Sequence, residues 1–327
     1  MPDVRIAILG AGAMGTTHAA AYTAMPEVSV VGVFSRDPAR AAAAATIGKA
    51  LPFTDAAALV QRAEVDAIDV CLPSANHHDV VIAALEAGKH VFCESPLALD
   101  LDQARRMRDA ARGAGRLLQV GLLMRSVSAY GHVEGAARSG EHGRLLSVAT
   151  WRLGSYLHAD APDRKAHYGD PSTELMTFDF DFIHWLMGEP QSLSASAART
   201  PDGRPGEISA LLSYPGGRHA TVVASGLMPP GSPFTVGFRA LFERAAFAHL
   251  ATFSKVPPKT SFTVAAGTAP PRPVSVAERN PYQVELQRFV DCILGRADPA
   301  LLDADPAIEA LLLSLATQRS IESFTSA

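Results

Sequence analysis

Ile6-Ala7-Ile8-Leu9-Gly10-Ala11-Gly12-Ala13-Met14-Gly15 is the stretch on which the reading of this 327-residue chain turns. The apolar run from Val4 to Leu9 has the composition of a buried strand, stops at Gly10, and gives way after Gly15 to an alanine-rich segment suited to a helix. Strand, glycine loop and helix, in that order, are the context without which a G-x-G-x-x-G string means little. Here each glycine has a separate task. Gly10 permits the tight turn, Gly12 lets the backbone come close to a pyrophosphate, and Gly15 lets the helix pack near the strand. The first N–H groups of that helix, beginning with Ala13 and Met14, then face the phosphate charge.

Outward from this loop, the second apolar run, Val28 to Phe34, decides which dinucleotide is expected. Selection of NAD ordinarily places Asp or Glu at the end of that strand, whereas this chain has Ser35 and Arg36, with Arg40 a turn onward. A hydroxyl and guanidinium groups suit a 2′-phosphate, so NADP is favoured; NAD stays open because Asp37 stands next in line. Further strands at Ala67–Leu72, Lys89–Cys93 and Leu117–Gly121 alternate with helices at Asp79–Ala87 and Asp100–Gly113, the beat of a parallel doubly wound sheet. Asn76 and His77 follow the Leu72-Pro73 end of one such strand, where ligands bind in open α/β sheets.

The pattern changes after Leu123. Short alternating or apolar runs, among them 192–199, 208–214, 219–225, 235–240 and 245–250, follow one another with Pro- and Gly-rich turns between them, which indicates a largely antiparallel sheet. The fold class expected is α/β: a Rossmann domain over residues 1–123 and an α+β domain over 124–327 with a large, mostly antiparallel open sheet. Helices are expected at 174–187, 281–294 and 306–324.

Bulk properties narrow the function. A formal net charge of −4 and no basic cluster give no nucleic-acid footprint. Cys71, Cys93 and Cys292 are scattered, the habit of small core residues in a reducing compartment, and no apolar run approaches a membrane span. The first strand begins within a few residues of Met1, so no signal peptide is expected and the cytoplasm is the expected location. No His, Asp or Glu set has metal-ligand spacing, so no metal is expected.

Four segments together resemble the Gfo/Idh/MocA family of oxidoreductases: the glycine loop with His18 behind it, Leu72-Pro73-Ser74-Ala75-Asn76-His77, Ala87 through Ala98 with its Glu94-Ser95-Pro96, and Trp185-Leu186-Met187-Gly188-Glu189-Pro190. The resemblance implies hydride transfer at a hydroxyl or carbonyl carbon of sugars, polyols, keto-sugars or cyclic imines. It also implies a second domain that binds substrate and whose open sheet joins subunits into a homodimer or homotetramer. Leu72, Pro73, Asn76, His77, Glu94, Ser95 and Pro96 match family positions around the cofactor, and Arg125 matches one near substrate.

Two departures bear on the chemistry. The family's Glu-Lys-Pro reads Glu94-Ser95-Pro96 here, and Phe178 stands where a histidine is common, so both habitual proton-transfer groups are missing. Positioned acids and bases contribute about 10²–10⁴ in rate, so the proton route has moved, the chemistry no longer needs one, or catalysis has been given up. A sensor or regulator that keeps the nucleotide site, or a redox-neutral lyase, isomerase or cyclase, are the alternatives to an oxidoreductase. For a relocated route, Glu174, Phe178, Asp181 and Trp185 fall at i, i+4, i+7 and i+11 on one helical stripe. Glu174 is the first candidate acid/base and Asp181 the second, with Phe178 an apolar wall against the substrate. Tyr168 or Lys165 is a further replacement for the lost lysine, and Ser95, which does not titrate near neutrality, is assigned to positioning.

Overall fold

The computed structural model describes residues 4–157, 170–254 and 258–325. They divide into two compact units, Met1–Ser126 with Arg279–Ile308, and Val127–Glu278 with Glu309–Ala327.

The first unit is built on a six-stranded sheet in the order β3-β2-β1-β4-β5-β6. Its strands are β1 (Val4–Leu9), β2 (Val28–Phe34), β3 (Leu51–Phe53), β4 (Ala67–Val70), β5 (His90–Cys93) and β6 (Leu118–Val120), and each neighbouring pair is parallel. Helices α1 (Ala13–Thr23), α2 (Pro38–Gly48), α3 (Ala56–Val60), α4 (His77–Glu86) and α5 (Leu101–Ala114) connect them. Ile6, Ala7, Ile8 and Leu9 are all fully buried, which is why β1 reads as a continuous apolar run rather than an alternating one. The strand order reverses between β1 and β4, and that switch point is where the loops after the two strands part and leave a crevice for a ligand.

The chain crosses between the units more than once. Residues 279–308 return to the first unit, where the helix here labelled α9 (Pro281–Ile293) buries Leu286, Phe289 and Val290 completely. Their i, i+3, i+4 spacing gives one apolar stripe, and Phe289 meets Phe92 of β5 with ring centroids 5.6 Å apart. Nothing in local sequence reveals which of two sheets such a stripe will cover.

The second unit carries an eight-stranded sheet in the order β14-β13-β12-β11-β7-β10-β9-β8. The strands are β7 (Leu145–Leu153), β8 (Ser192–Arg199), β9 (Pro205–Ser213), β10 (His219–Ser225), β11 (Phe234–Phe242), β12 (Ala245–Phe253), β13 (Lys259–Ala266) and β14 (Arg272–Pro273). All pairs are antiparallel except β7 with β10. Helices α6 (Ser128–Ser139), α7 (Pro171–Glu174) and α8 (Met176–Met187) belong to this unit, and α10 (Ala304–Thr325) ends in it. Tyr130 of α6 sits edge-on to Phe182 of α8 and Phe238 of β11, at 4.6 and 4.7 Å between centroids. Outward positions of the sheet leave Leu211, Leu241 and Leu250 between 37% and 43% exposed, and Phe253 is exposed at the end of β12. Among the described residues no helix is long and apolar enough to cross a membrane.

The helix expected over 174–187 is interrupted. Asp170 accepts from the Ser172 N–H and caps the single turn of α7, Leu175 follows as a turn residue at φ −117°, and α8 begins at Met176. Glu174 therefore lies outside the helix that carries Phe178, Asp181 and Trp185, and the four-residue stripe is reduced to three.

Candidate functional site

The glycine loop is built as its sequence requires, and its three glycines are needed for different reasons. Gly10 has φ +125°, and a Cβ there would lie 2.4 Å from the Cys71 carbonyl oxygen. A Cβ on Gly15 would lie 1.9 Å from the Gly10 oxygen. Both glycines are demands of the fold. Gly12 differs: its φ of −83° suits any residue, and nothing lies within 4 Å of where its Cβ would be. The open space beside Gly12 is at the N-terminus of α1, whose cap makes no side-chain hydrogen bond and whose first turn has no acidic residue. Ala13 and Met14 open that turn, so their N–H groups are left for an anion.

Beyond β2, Asp37 is committed to the backbone. Its Oδ1 accepts from the Ala39 and Arg40 N–H groups at 2.9 and 3.3 Å, capping α2, and its own N–H donates to Ser35 Oγ at 3.2 Å. Arg36 is exposed, and Arg40 stays 65% exposed while lying 3.7 Å from Asp37. The loop thus offers a hydroxyl and two solvent-facing cations, with its carboxylate occupied.

The loops after β4 and β5 are pinned together by His77. Its Nε2 lies 2.8 Å from the Leu72 carbonyl, and its Nδ1 lies 3.1 and 3.3 Å from the Pro96 and Leu97 carbonyls. Burial pulls its pKa below the ordinary histidine value. With both nitrogens on main-chain oxygens, His77 shapes the Leu72-Pro73 and Pro96 turns, while Asn76 beside it is exposed. The hydroxyl of half-buried Ser95 has no hydrogen-bond partner among the described residues. Arg125, in a short helical turn at 123–126, donates from Nη1 to the Leu301 carbonyl at 3.0 Å.

Beneath these loops lies a buried charged cluster. His18 of α1, fully buried, donates from Nδ1 to Asp69 Oδ2 at 2.8 Å, and its Nε2 stands 2.9 Å from Glu94 Oε1 in an ion-pair contact. Burial opposes a charge on this ring, but the Asp69 carboxylate and Cys71 more than offset it and hold the pKa well above the ordinary value. Cys71 Sγ lies 3.3 Å from the same Nδ1, and burial pushes its thiol upward, out of the reactive range. Glu285 of α9 completes the group; burial and the Glu94 charge raise its carboxyl well above the usual range. His18, Cys71 and Glu94 offer atoms within 4.8 Å of one another, a grouping that no spacing in the sequence reveals. The His18 ring nitrogens are already engaged by carboxylates, so the set is an ion-paired cluster and not a ready metal cage.

In the second unit Asp181 is 1% exposed and Glu174 half-buried. Phe178 lies against the Arg152 guanidinium, 4.8 Å from ring centroid to Cζ. Arg152 in turn donates from Nε to Asp179 Oδ2 at 3.0 Å, both side chains being almost wholly buried. Burial raises the Asp179 carboxyl above the usual range despite its partner. Neither residue was singled out from sequence. The available signal was Arg152 itself, a charge at an inward position of β7 whose neighbours Val148 and Thr150 are buried. Lys165 and Tyr168 lie outside the described residues.

Comparison with known proteins gives a consistent result. Residues 4–122 match the GFO_IDH_MocA family, described as "Oxidoreductase family, NAD-binding Rossmann fold", and residues 130–247 match the GFO/IDH/MocA C-terminal domain. An uncharacterized oxidoreductase of Rhizobium meliloti is 31% identical over 237 residues, 69% of each chain. Inositol 2-dehydrogenase 4 of Saccharopolyspora erythraea is 31% identical over 207 residues, 61% of this chain but only 58% of that enzyme's length. Among solved structures, UDP-N-acetylglucosamine 3-dehydrogenase from Acidithiobacillus ferrooxidans superposes with a TM-score of 0.82 over 99% of both chains at 22% identity, a likeness of fold.

Proposed function

Because this chain belongs to the Gfo/Idh/MocA oxidoreductase family, we propose that it transfers hydride between NADP(H) and a hydroxyl or carbonyl carbon of a small polar substrate, a cyclic polyol or sugar first. The observation that carries the reading is the unfilled space at Gly12, beside an uncapped helix N-terminus. A pyrophosphate there would accept from the first N–H groups of α1, while Ser35, Arg36 and Arg40 would receive a 2′-phosphate, Asp37 being spent on its cap. The bound nucleotide supplies or accepts the hydride. The residues of this chain orient it and manage the proton that travels with it.

Ser95 takes the positioning part of the missing lysine, its hydroxyl still without a partner among the described residues. Glu174 takes the proton-transfer part, with Asp181 second, Tyr168 and Lys165 being the further candidates. Phe178, backed by Arg152, gives the substrate an apolar wall where a histidine would otherwise donate. Arg125 is assigned to the substrate's polar end. The outward face of the second sheet, with exposed Leu211, Leu241 and Leu250, is assigned to a second copy of the chain, as the family resemblance implies.

The test is calorimetric titration with NADPH and NADH, followed by NADP-dependent oxidation of a panel that starts with myo-inositol. Tighter binding of NADPH and turnover lost in Glu174→Gln are expected. No heat from either nucleotide would overturn the reading, and binding without turnover across the panel would favour a sensor.

A further inference from the structure

Three carboxyl groups surround one imidazole in the interior of the first unit, and the proton route proposed above uses none of them. His18 is reached by Asp69 and Cys71 from the β4 side, Glu94 from the end of β5, and Glu285 and Tyr282 from α9, while Tyr22 of its own helix faces Asp69 and Cys71. Phe92 closes the set, its ring edge-on to the imidazole at 5.8 Å. Only a ring protonated at both nitrogens can donate to a carboxyl group at each, and the raised pKa of His18 agrees with that state.

Glu94 is the member that leads outward. Its Oε1 stands 2.9 Å from His18 Nε2 in an ion pair, and its Oε2 accepts from the Ser95 N–H at 3.2 Å. Gly121 makes room for it, because a Cβ at that position would stand 3.0 Å from Oε2. The carboxylate is thus fixed from behind, and the backbone of Ser95 hangs from its other oxygen. Asp69, a buried carboxylate in the middle of a parallel sheet, anchors the far side of the ring.

We infer that His18, clamped between Asp69 and Glu94, is a positioning residue for the nicotinamide: through Glu94 it fixes the Ser95 turn against which that ring is held. This rests on the reading that the first unit binds NADP(H) with Ser95 beside the nicotinamide. It gives the histidine behind the glycine loop a role at the reacting end of the cofactor without contact with it. The charge on the ring is what carries the effect. Loss of that charge leaves Glu94 next to Asp69 and Glu285 with no cation between them, and the turn is released.

The test uses the full chain, NADPH as the probe, and two variants, His18→Gln and Glu94→Gln. Glutamine at 94 keeps the shape but has one acceptor oxygen for two partners, so it reports on the relay even where glutamine at 18 does not fold. Nicotinamide fluorescence of bound NADPH reads the ring's environment, and affinity reads chiefly the adenosine and pyrophosphate contacts. In His18→Gln the affinity is expected to stay within threefold, and in both variants the emission enhancement falls by more than half. In the wild type the enhancement should decline at alkaline pH in step with loss of the His18 proton, followed by nitrogen NMR of labelled histidine. In the folded variants it should be low and flat with pH. Enhancement and pH profile unchanged in both folded variants would overturn the inference, as would a His18 that titrates like an ordinary histidine. A wild type that binds NADPH but shows either result sinks the positioning role alone; a wild type that binds no nucleotide sinks the reading beneath it.

Discussion

Gly12→Ala separates what the fold needs from what the ligand needs. The glycine occupies an extended conformation with φ −83° and ψ −164°, open to alanine without strain, and the new methyl would meet nothing within 4 Å. Stability should therefore change by no more than about 1 kcal/mol, the reduced freedom of the unfolded chain being set against alanine's poorer fit at the N-cap of α1. In the complex the same methyl would stand where the pyrophosphate must lie and would push it away from the α1 N-terminus. Hydrogen bonds to a charged group are worth about 1.5–3 kcal/mol each, so the loss of one or two costs roughly 3 kcal/mol. That corresponds to about a 10²-fold weaker dissociation constant. The assay is paired: thermal or urea unfolding of the free protein, and NADPH titration by fluorescence or calorimetry. Gly10→Ala is the control, because its Cβ falls 2.4 Å from the Cys71 oxygen at a φ of +125°, and it should unfold the protein before affinity can be asked about. A Gly12→Ala variant that binds NADPH like the wild type, or one destabilised by more than about 1 kcal/mol, which is outside the range for unstrained surface changes, would refute the reasoning.

Arg36→Ala should weaken NADPH by about tenfold and leave NADH within twofold, since one charge-assisted phosphate contact is worth roughly 1.5 kcal/mol in an exposed setting; competition binding measures the ratio. Asp179→Asn leaves the Arg152 guanidinium buried without its counter-ion, and breaking such a pair costs about 3–5 kcal/mol. Chemical denaturation should show that loss, and Arg152→Met combined with Asp179→Leu should recover most of it. The elevated pKa of His18 makes a pH prediction with a definite sign. Its contribution to stability is complete below the unfolded value, near 6.5, and disappears as pH rises through the folded value, so the wild type should lose melting temperature between neutral and alkaline pH. His18→Gln should lack that alkaline loss.

Much of this architecture could be read from order and spacing. The glycine loop, the parallel beat of strands and helices, and the succession of short strands after residue 190 are local signals, and the sheets follow them closely. What could not be read depends on contacts distant in sequence. The β3 and β14 strands are three and two residues long, too short to carry a period. Pro171–Glu174 forms a separate turn under the Asp170 cap, and the residues around Leu175 carry no local sign of the break. His77 had the position of a cofactor group, yet its nitrogens serve carbonyls nineteen and twenty residues onward and five residues back. The clusters at His18 and Arg152 are likewise invisible to spacing, since each is assembled from separate elements.

The return of residues 279–308 to the first unit has a consequence for biosynthesis. As the chain leaves the ribosome, β1 to β6 are complete by residue 120, but the stripe of Leu286, Phe289 and Val290 that covers Phe92 is still to be made. At about 5–20 residues per second the interval between residues 126 and 308 is roughly 10–35 s, during which the nascent nucleotide-binding half has an uncovered greasy flank. The second unit waits longer still, for Glu309–Ala327, so neither half closes until the last helix is made, and a fragment ended near residue 126 should emerge sticky and dependent on chaperones.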